Sequence, residues 1–421
     1  MKFSEVANEN YAATIVSVKA INSLENCDNV VGVPFFGFQA IVNKTTEVGD
    51  LGVLFTAETQ LSEKYMYENN LFRHGNLNKD ESAKGYIEDN RRVKAIRFRG
   101  HQSSALFMPL SSLEWTGIKV SDLKEGDMFD ELNGKPICNK FVRKQRKAGA
   151  GNKVSVEEKY IRVDKKFMPE HIDSINYFRN KQQIKGNENI VVTQKLHGTS
   201  VRIGNTLVNR KLNVIEKALK KLGVKVVENE YDDVYGSRKV IKDINNPNQN
   251  HYYSTDLWTE TGLKLRGSIP KGYILYGEII GYASADAPIQ KNYTYNLPTG
   301  NSALYIYRIS SVNPDGIQID LSWDQIKEFC KINGLNHVPE LWSGRHKSFN
   351  VDKFIDTNYF AGGFKNAVPL STDSPCDEGV CIRREGITPL ILKAKSPLFF
   401  EHETKMLDEE AVDMEEEGKV E

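Results

Sequence analysis

TQKLHGTSVRIGN, residues 193–205, follows an apolar run (Ile190, Val191, Val192) and continues through β-branched residues (Thr199, Val201, Ile203). Runs of this composition form strands, and the glycine between them marks a turn. The segment therefore predicts a strand ending at Lys195, a turn at Gly198 and an immediate return, the outline of a hairpin. A lysine in that place is either a solvated tip or an amine fixed as a nucleophile. The segment alone leaves both open, so the rest of the chain has to choose.

With 421 residues the chain exceeds what one core organises, and two or three domains are expected. Charged residues are 27% and hydrophobic residues 39%, as in ordinary globular proteins. Lys plus Arg equals Asp plus Glu at 56 each, so no global cationic field points to a nucleic acid. The distribution is uneven, however. The tail is acidic (DEE at 408–410, EEE at 415–417), and KFVRKQRKAGAGNK (140–153) is basic. Without the tail the body is net positive, which permits a polyanionic partner. Five cysteines at irregular spacing argue against a disulfide framework and for a reducing compartment. Cys376 and Cys381 lack a second pair to complete a zinc site and read as structural. MKFSEVANEN has no signal-peptide pattern, and no run approaches the ~20 apolar residues of a membrane span. A cytoplasmic protein with no membrane partner is expected.

Residues 1–139 contain short strand-like runs: 11–21, 38–43, 51–57, 93–100 and 104–110, with Gly49-Asp50 and Gly126-Asp127 as punctuation. They suggest a small, partly open five-stranded barrel. Arg91, Arg92, Lys94, Arg97 and Arg99 would give it a cationic edge, either plainly solvated or tracking phosphates. Residues 140–165 read as a basic linker. The phosphate-cradling spacing G-x-x-x-x-G-K-[ST] is absent from the chain. From 166 to 402 strands alternate with helices. Ser322-x-x-Gln325 forms a capping box ahead of one helix, with Gly334 as its stop. NVIEKALKKLG (213–223) is a second helix with Ile215, Leu219 and Leu222 on one face. Residues 403–421 read as an acidic tail.

A lysine attacks only after losing its proton, so its pKa of ~10.4 must fall, and nearby cations, desolvation or a metal can lower it. Three later segments supply candidate neighbours. YILYGEIIGYA (273–283) carries Glu278 in an apolar strand. CDEGVCIRRE (376–385) places Glu378 before Gly379 and a strand. PLILKAKSPLFF (389–400) presents Lys393 and Lys395 on one strand face, because side chains alternate. Each segment alone is commonplace; their order is not.

In that order they resemble the covalent nucleotidyltransferase superfamily of ligases and capping enzymes. KLHG resembles motif I, YIYRI (305–309) motif IIIa, YGEIIG motif III, DEGVCI motif IV and LKAK motif V; SRK (237–239) resembles the segment after motif I. The resemblance implies an α+β chain: an N-terminal small β-barrel (OB-like), then a nucleotidyltransferase (ATP-grasp-like ligase) domain of antiparallel sheets with flanking helices. Where DNA ligases have aspartate two residues past the lysine, this chain has His197, as in nick-sealing RNA ligases of the second type, which read K-x-H-G-T. Only a short acidic segment follows Lys395, too little for the C-terminal barrel of DNA ligases and capping enzymes. An N-terminal barrel before the ligase domain is similar to a clade of RNA ligases from scattered bacteria, phages and protists, although HQSS (101–104) replaces its Ser-Gln-Gly run.

The resemblance implies an ATP-dependent RNA ligase that joins 3′-OH and 5′-phosphate RNA ends, at a nick in a duplex, as a monomer. Lys195 would be adenylated, and Gly198 would lie in the nucleotide pocket. Lys393 and Lys395 would neutralise the triphosphate and, as like charges, depress the pKa of Lys195. Glu278 and Glu378 would hold the water shell of Mg²⁺ or Mn²⁺, or the ribose hydroxyls. His197 would orient a phosphate, Tyr307 would stack on adenine and Arg238 would contact a phosphate. Arg202 reads equally as a substrate contact or a strand residue, and His171 as structural. The rivals are a capping-type guanylyltransferase and a catalytically inactive RNA-binding protein with a ligase fold.

Overall fold

The computed structural model describes residues 6–142, 162–242, 255–355 and 360–409. Most of the expected linker (143–161) and the end of the acidic tail (410–421) lie outside the described residues. The chain forms two compact units. One comprises residues 6–142, 175–181 and 394–409; the other comprises residues 162–174, 182–242, 255–355 and 360–393.

The first unit is built on β1 (Ala13–Ser17), β2 (Asn22–Ser23), β3 (Val30–Phe35), β4 (Phe38–Asn43), β5 (Leu51–Thr56), β6 (Ala105–Pro109) and β7 (Met128–Phe129), in the order β7-β1-β5-β6-β4-β3-β2. Only β4 and β6 run parallel. Phe36 and Gly37, both at positive φ, make the tight turn that right-twisted hairpin strands favour. The sheet has seven strands rather than five. Among the described residues its end strands β7 and β2 do not pair, so it is open and not a closed barrel. Of the run 93–100 only Ile96–Phe98 is a strand, paired with His101–Ser103 in a separate ribbon.

The cationic run is largely neutralised inside this unit. The C-terminal helix Pro397–Asp408 packs Phe400 on Phe38, with ring centroids 4.4 Å apart. Buried Arg92 donates to Asp408 at 2.5 Å and lies 3.5 Å from Glu58. Lys94 meets Asp408 at 3.0 Å, and Arg97 meets Glu401 at 2.9 Å. Arg92, Lys94 and Arg97 thus hold the C-terminal helix through ion pairs. Thr404 Oγ1 donates to Glu58 Oε1 at 2.6 Å. Burial pushes the Glu58 carboxyl up from 4.5 to about 7, against the opposing pull of Arg92 and Thr404. A raised carboxyl favours the fold most below its unfolded pKa, and that advantage is lost as pH rises through about 7. Thermal melts from pH ~5 to ~8 should show a loss on the order of 3 kcal/mol, and Glu58→Gln should flatten it.

The second unit contains β8 (Asn189–Lys195), β9 (Thr199–Asn209), β10 (Asn229–Ser237), β11 (Tyr273–Ser284), β12 (Ser302–Val312), β13 (Gln318–Asp320), β14 (Glu340–Arg345), β15 (Gly379–Arg384) and β16 (Leu390–Lys395), whose last two residues cluster with the first unit. One sheet contains, in order, β16-β15-β8-β14; the other runs β10-β9-β11-β12-β13. β8 and β9 are therefore not a hairpin. Both flanks of β8 are taken by β14 and β15, and both flanks of β9 by β10 and β11. Leu196 to Gly198 instead carry the chain from one sheet to the other.

The helix Trp323–Ile332 starts in the reciprocal Ser322–Gln325 box and stops before Gly334 at positive φ. It buries Trp323, Ile326 and Cys330. The helix Val214–Lys221 has its own box from Asn213 and Glu216. Its apolar face is not core: Ile215, Leu219 and Leu222 are all exposed. Capping and the Arg210–Glu216 pair at 3.0 Å hold it, not burial.

Candidate active site

Lys195 ends β8 opposite Gly379, so Glu378, one residue before β15, stands beside the strand end. Lys195 Nζ lies 2.7 Å from Glu378 Oε1, with the two side chains 11% and 1% exposed. His197 Nδ1 is 3.8 Å from the other carboxylate oxygen. The backbone N–H of His197 donates to the Tyr295 hydroxyl at 2.6 Å, and its ring meets Tyr293 edge-on at 4.9 Å. Tyr293 in turn donates to the Cys376 carbonyl at 2.7 Å. Burial drives both phenols far above the usual tyrosine range, so they stay neutral.

Gly198 is required by close approach. Its N–H donates to Glu278 Oε1 at 3.0 Å, and its carbonyl accepts from Gln290 at 2.8 Å. A Cβ there would sit 2.2 Å from the Ile279 carbonyl oxygen, which belongs to rigid backbone. Gly198→Ala should therefore cost about 1–3 kcal/mol by overpacking, read as a lower melting temperature. Glu278 stands opposite Ser200 in the β9–β11 ladder and accepts its hydroxyl at 3.2 Å.

Behind the lysine, the Gln194 amide grips Val368 in both directions, at 2.8 and 3.0 Å. Asp377 accepts the Ala361 N–H at 3.0 Å, and burial pushes its carboxyl up to about 6.

A second group lines the same sheet face, because Tyr276 and Glu278 are two residues apart on β11. His171 packs edge-on against Tyr307 at 5.0 Å and lies 6.4 Å from Tyr276. Arg238 pairs with Asp173. Burial raises the Asp173 carboxyl, but Arg238, with help from His171 and Lys393, brings it below the usual range. Arg202 is buried, donating to the Ser237 and Met168 carbonyls at 2.8 and 2.7 Å, a strand-locking position. Lys395, in the first unit, pairs with Glu403 and lies 5.2 Å from the Phe399 ring.

Five of the sequence-derived candidates thus meet directly: Lys195, His197, Gly198, Glu278 and Glu378. Tyr307, Arg238 and Lys393 belong to the second group. Sequence reasoning missed Gln194, Ser200, Gln290, Tyr293, Tyr295 and Asp377. The loop QKNYTYN held a signal, since its asparagines suit the left-handed backbone that Asn292, Tyr295 and Asn296 adopt.

Comparison with known proteins meets this geometry. The RNA ligase family model matches residues 188–395, the span from β8 to the end of β16. That segment resembles the RNA ligase family. The solved structures similar to this chain include the Naegleria gruberi RNA ligase with pyrophosphate, at 16% identity and TM-score 0.58, covering 93% of this chain and 98% of that one. An arginine-to-alanine variant of the same enzyme with ATP and Mn is 17% identical, with TM-score 0.59 and coverage of 93% and 99%. A lysine-to-methionine variant with AMP and Mn is 16% identical, with TM-score 0.56 and coverage of 93% and 98%. At such identities the likeness shows the fold, and it extends over both units beyond the RNA ligase segment. Among curated protein sequences none matches. Among the described residues no helix is long and apolar enough to cross a membrane.

Proposed function

We propose that the chain is an ATP-dependent RNA ligase that joins 3′-hydroxyl and 5′-phosphate RNA ends through a lysyl–AMP intermediate on Lys195. The observation that carries this reading is the nearly buried Lys195–Glu378 pair at 2.7 Å, where an RNA ligase domain turns from one sheet to the other. The pair holds the amine in one place, as a nucleophile requires.

In the first step Lys195 Nζ bonds to the α-phosphorus of ATP as the bond to the bridging oxygen breaks and pyrophosphate leaves. Glu378 Oε1 is within reach of the departing proton. The 5′-phosphate of RNA then takes the AMP, forming a 5′–5′ pyrophosphate and freeing the lysine. Finally the 3′-hydroxyl attacks that 5′-phosphorus and AMP departs. Lys393 and Lys395 neutralise the triphosphate, Arg238 contacts a phosphate, His197 orients the phosphate chain, and Tyr307 stacks on adenine. A divalent ion, Mg²⁺ or Mn²⁺, would supply charge neutralisation at the α-phosphate. Among the described residues no three His, Cys, Asp or Glu side chains converge as a cage. That fits a hydrated ion held by one or two carboxylates, Glu278 or Glu378, and by phosphate oxygens. The ATP- and Mn-containing Naegleria structures support this cofactor reading.

The N-terminal unit, OB-like in its short antiparallel strands though open, would grip the RNA, which is a nicked duplex. Residues 166–402 would carry adenylation in a monomer. Five cysteines at irregular spacing support a reducing, cytoplasmic setting. The test is a denaturing mass spectrum after incubation with ATP and Mg²⁺. One adenylate on the peptide containing Lys195 is expected; an adenylate elsewhere, or none, overturns the reading.

A further inference from the structure

Between β12 and β14 lies an open cavity of about 890 Å³ that the proposed chemistry does not use. Tyr305, Trp342, Asn336 and Asn366 line it, together with Lys327 and Glu340. The volume is in the range of small-molecule sites, ~300–1,000 Å³. Its charges cancel internally, since Lys327 Nζ lies 2.9 Å from Glu340 and 3.0 Å from Asp324. The cavity therefore offers aromatic surface and amide groups rather than an uncompensated cation, which suits a nucleobase better than a phosphate.

Its position relates it to the reaction. Tyr305 stands opposite Glu278 in the β11–β12 ladder, and Glu340 stands opposite Thr193 of β8. The loop that supplies Asn366 is held through Val368 by Gln194, the residue before the nucleophile. With strands ~4.8 Å apart and ~3.3 Å per residue, the Glu340 backbone on the cavity wall lies on the order of 10 Å from the Lys195 backbone. That is about the distance from a joint to its neighbouring nucleoside.

We infer that this cavity receives a nucleoside of the RNA substrate next to the joint. Its base lies against Tyr305 or Trp342, with its edges in reach of the Asn336 and Asn366 amides. The base would leave the nicked duplex to enter, and unpaired RNA bases are recognised by this combination of aromatic face and edge hydrogen bonds. The inference rests on the RNA-joining reading above.

The experiment uses the full chain and two variants. Trp342→Ala removes the aromatic wall. Ser343→Trp fills the cavity from an exposed rim position, losing only the Ser343 hydroxyl that bonds Glu340. Lysine adenylation from labelled ATP needs no RNA and should stay within about twofold of wild type. AMP transfer to 5′-phosphorylated RNA should show a KM for RNA raised about tenfold or more. A 5′-phosphorylated RNA with 4-thiouridine beside the joint should crosslink to the peptide containing Trp342. Should Trp342→Ala fail to fold, Ser343→Trp decides. An unchanged KM in the folded variants with no crosslink overturns the inference and leaves the ligase reading standing. Loss of lysine adenylation in folded variants also overturns it, because the cavity would then serve ATP. No adenylate on wild-type Lys195 would sink the ligase reading and the inference together.

Discussion

Replacing Lys195 by alanine is expected to reduce transfer of label from ATP to the protein to background and to end joining of 5′-phosphate RNA. A pre-adenylated strand should still be sealed weakly, because only the first step needs the amine. The substitution has a second, structural effect. Glu378 is 1% exposed and loses its partner at 2.7 Å. Removing one partner of a buried pair costs up to about 3–5 kcal/mol, so the melting temperature falls. Lys195→Arg separates the two effects: it keeps a cation beside Glu378 but supplies no amine of the required reactivity. Radiolabelled adenylation gels and thermal melts of the three proteins check this. Label on the Lys195→Ala protein would falsify the assignment of the nucleophile.

Glu378→Gln should lower lysine adenylation by roughly 10²- to 10⁴-fold, the usual worth of a positioned proton acceptor. The amide keeps the shape of the side chain and can still meet Lys195, so folding should change far less than in Lys195→Ala. Single-turnover adenylation followed across a pH series is the measurement. A neutral amine becomes more abundant as pH rises, so alkaline conditions should partly restore the variant. A flat profile at the low rate would show that Glu378 positions the lysine without taking its proton.

Much of this site was legible in the sequence because its residues sit in or beside apolar strands. Lys195 ends one, Glu278 lies within one and Glu378 directly precedes one; Lys195 meets Glu378, and Glu278 accepts the Gly198 N–H. The path between them was not legible. Three residues after a strand usually mean a hairpin, but β14 and β15, over 140 residues downstream, occupy both flanks of β8. Local spacing carries no record of such distant partners. The same holds for Arg92, whose carboxylate partner Asp408 is 316 residues away. It also holds for Ile215 and Leu222, where helical periodicity gave a face but not whether anything covers it. Tyr293 and Tyr295 escaped notice because a phenol that braces a backbone carbonyl or N–H has no sequence pattern of its own.

The crossing at Leu196 to Gly198 has an implication for how the site can vary. An inserted residue there would reverse which side of one layer faces the cleft, or pull the amine from its carboxylate. Neither slack nor a compensating turn is available, since the glycine already touches a neighbouring carbonyl. Working variants should therefore tolerate length changes around the exposed helix after Asn213, while this three-residue suture between the layers keeps its length.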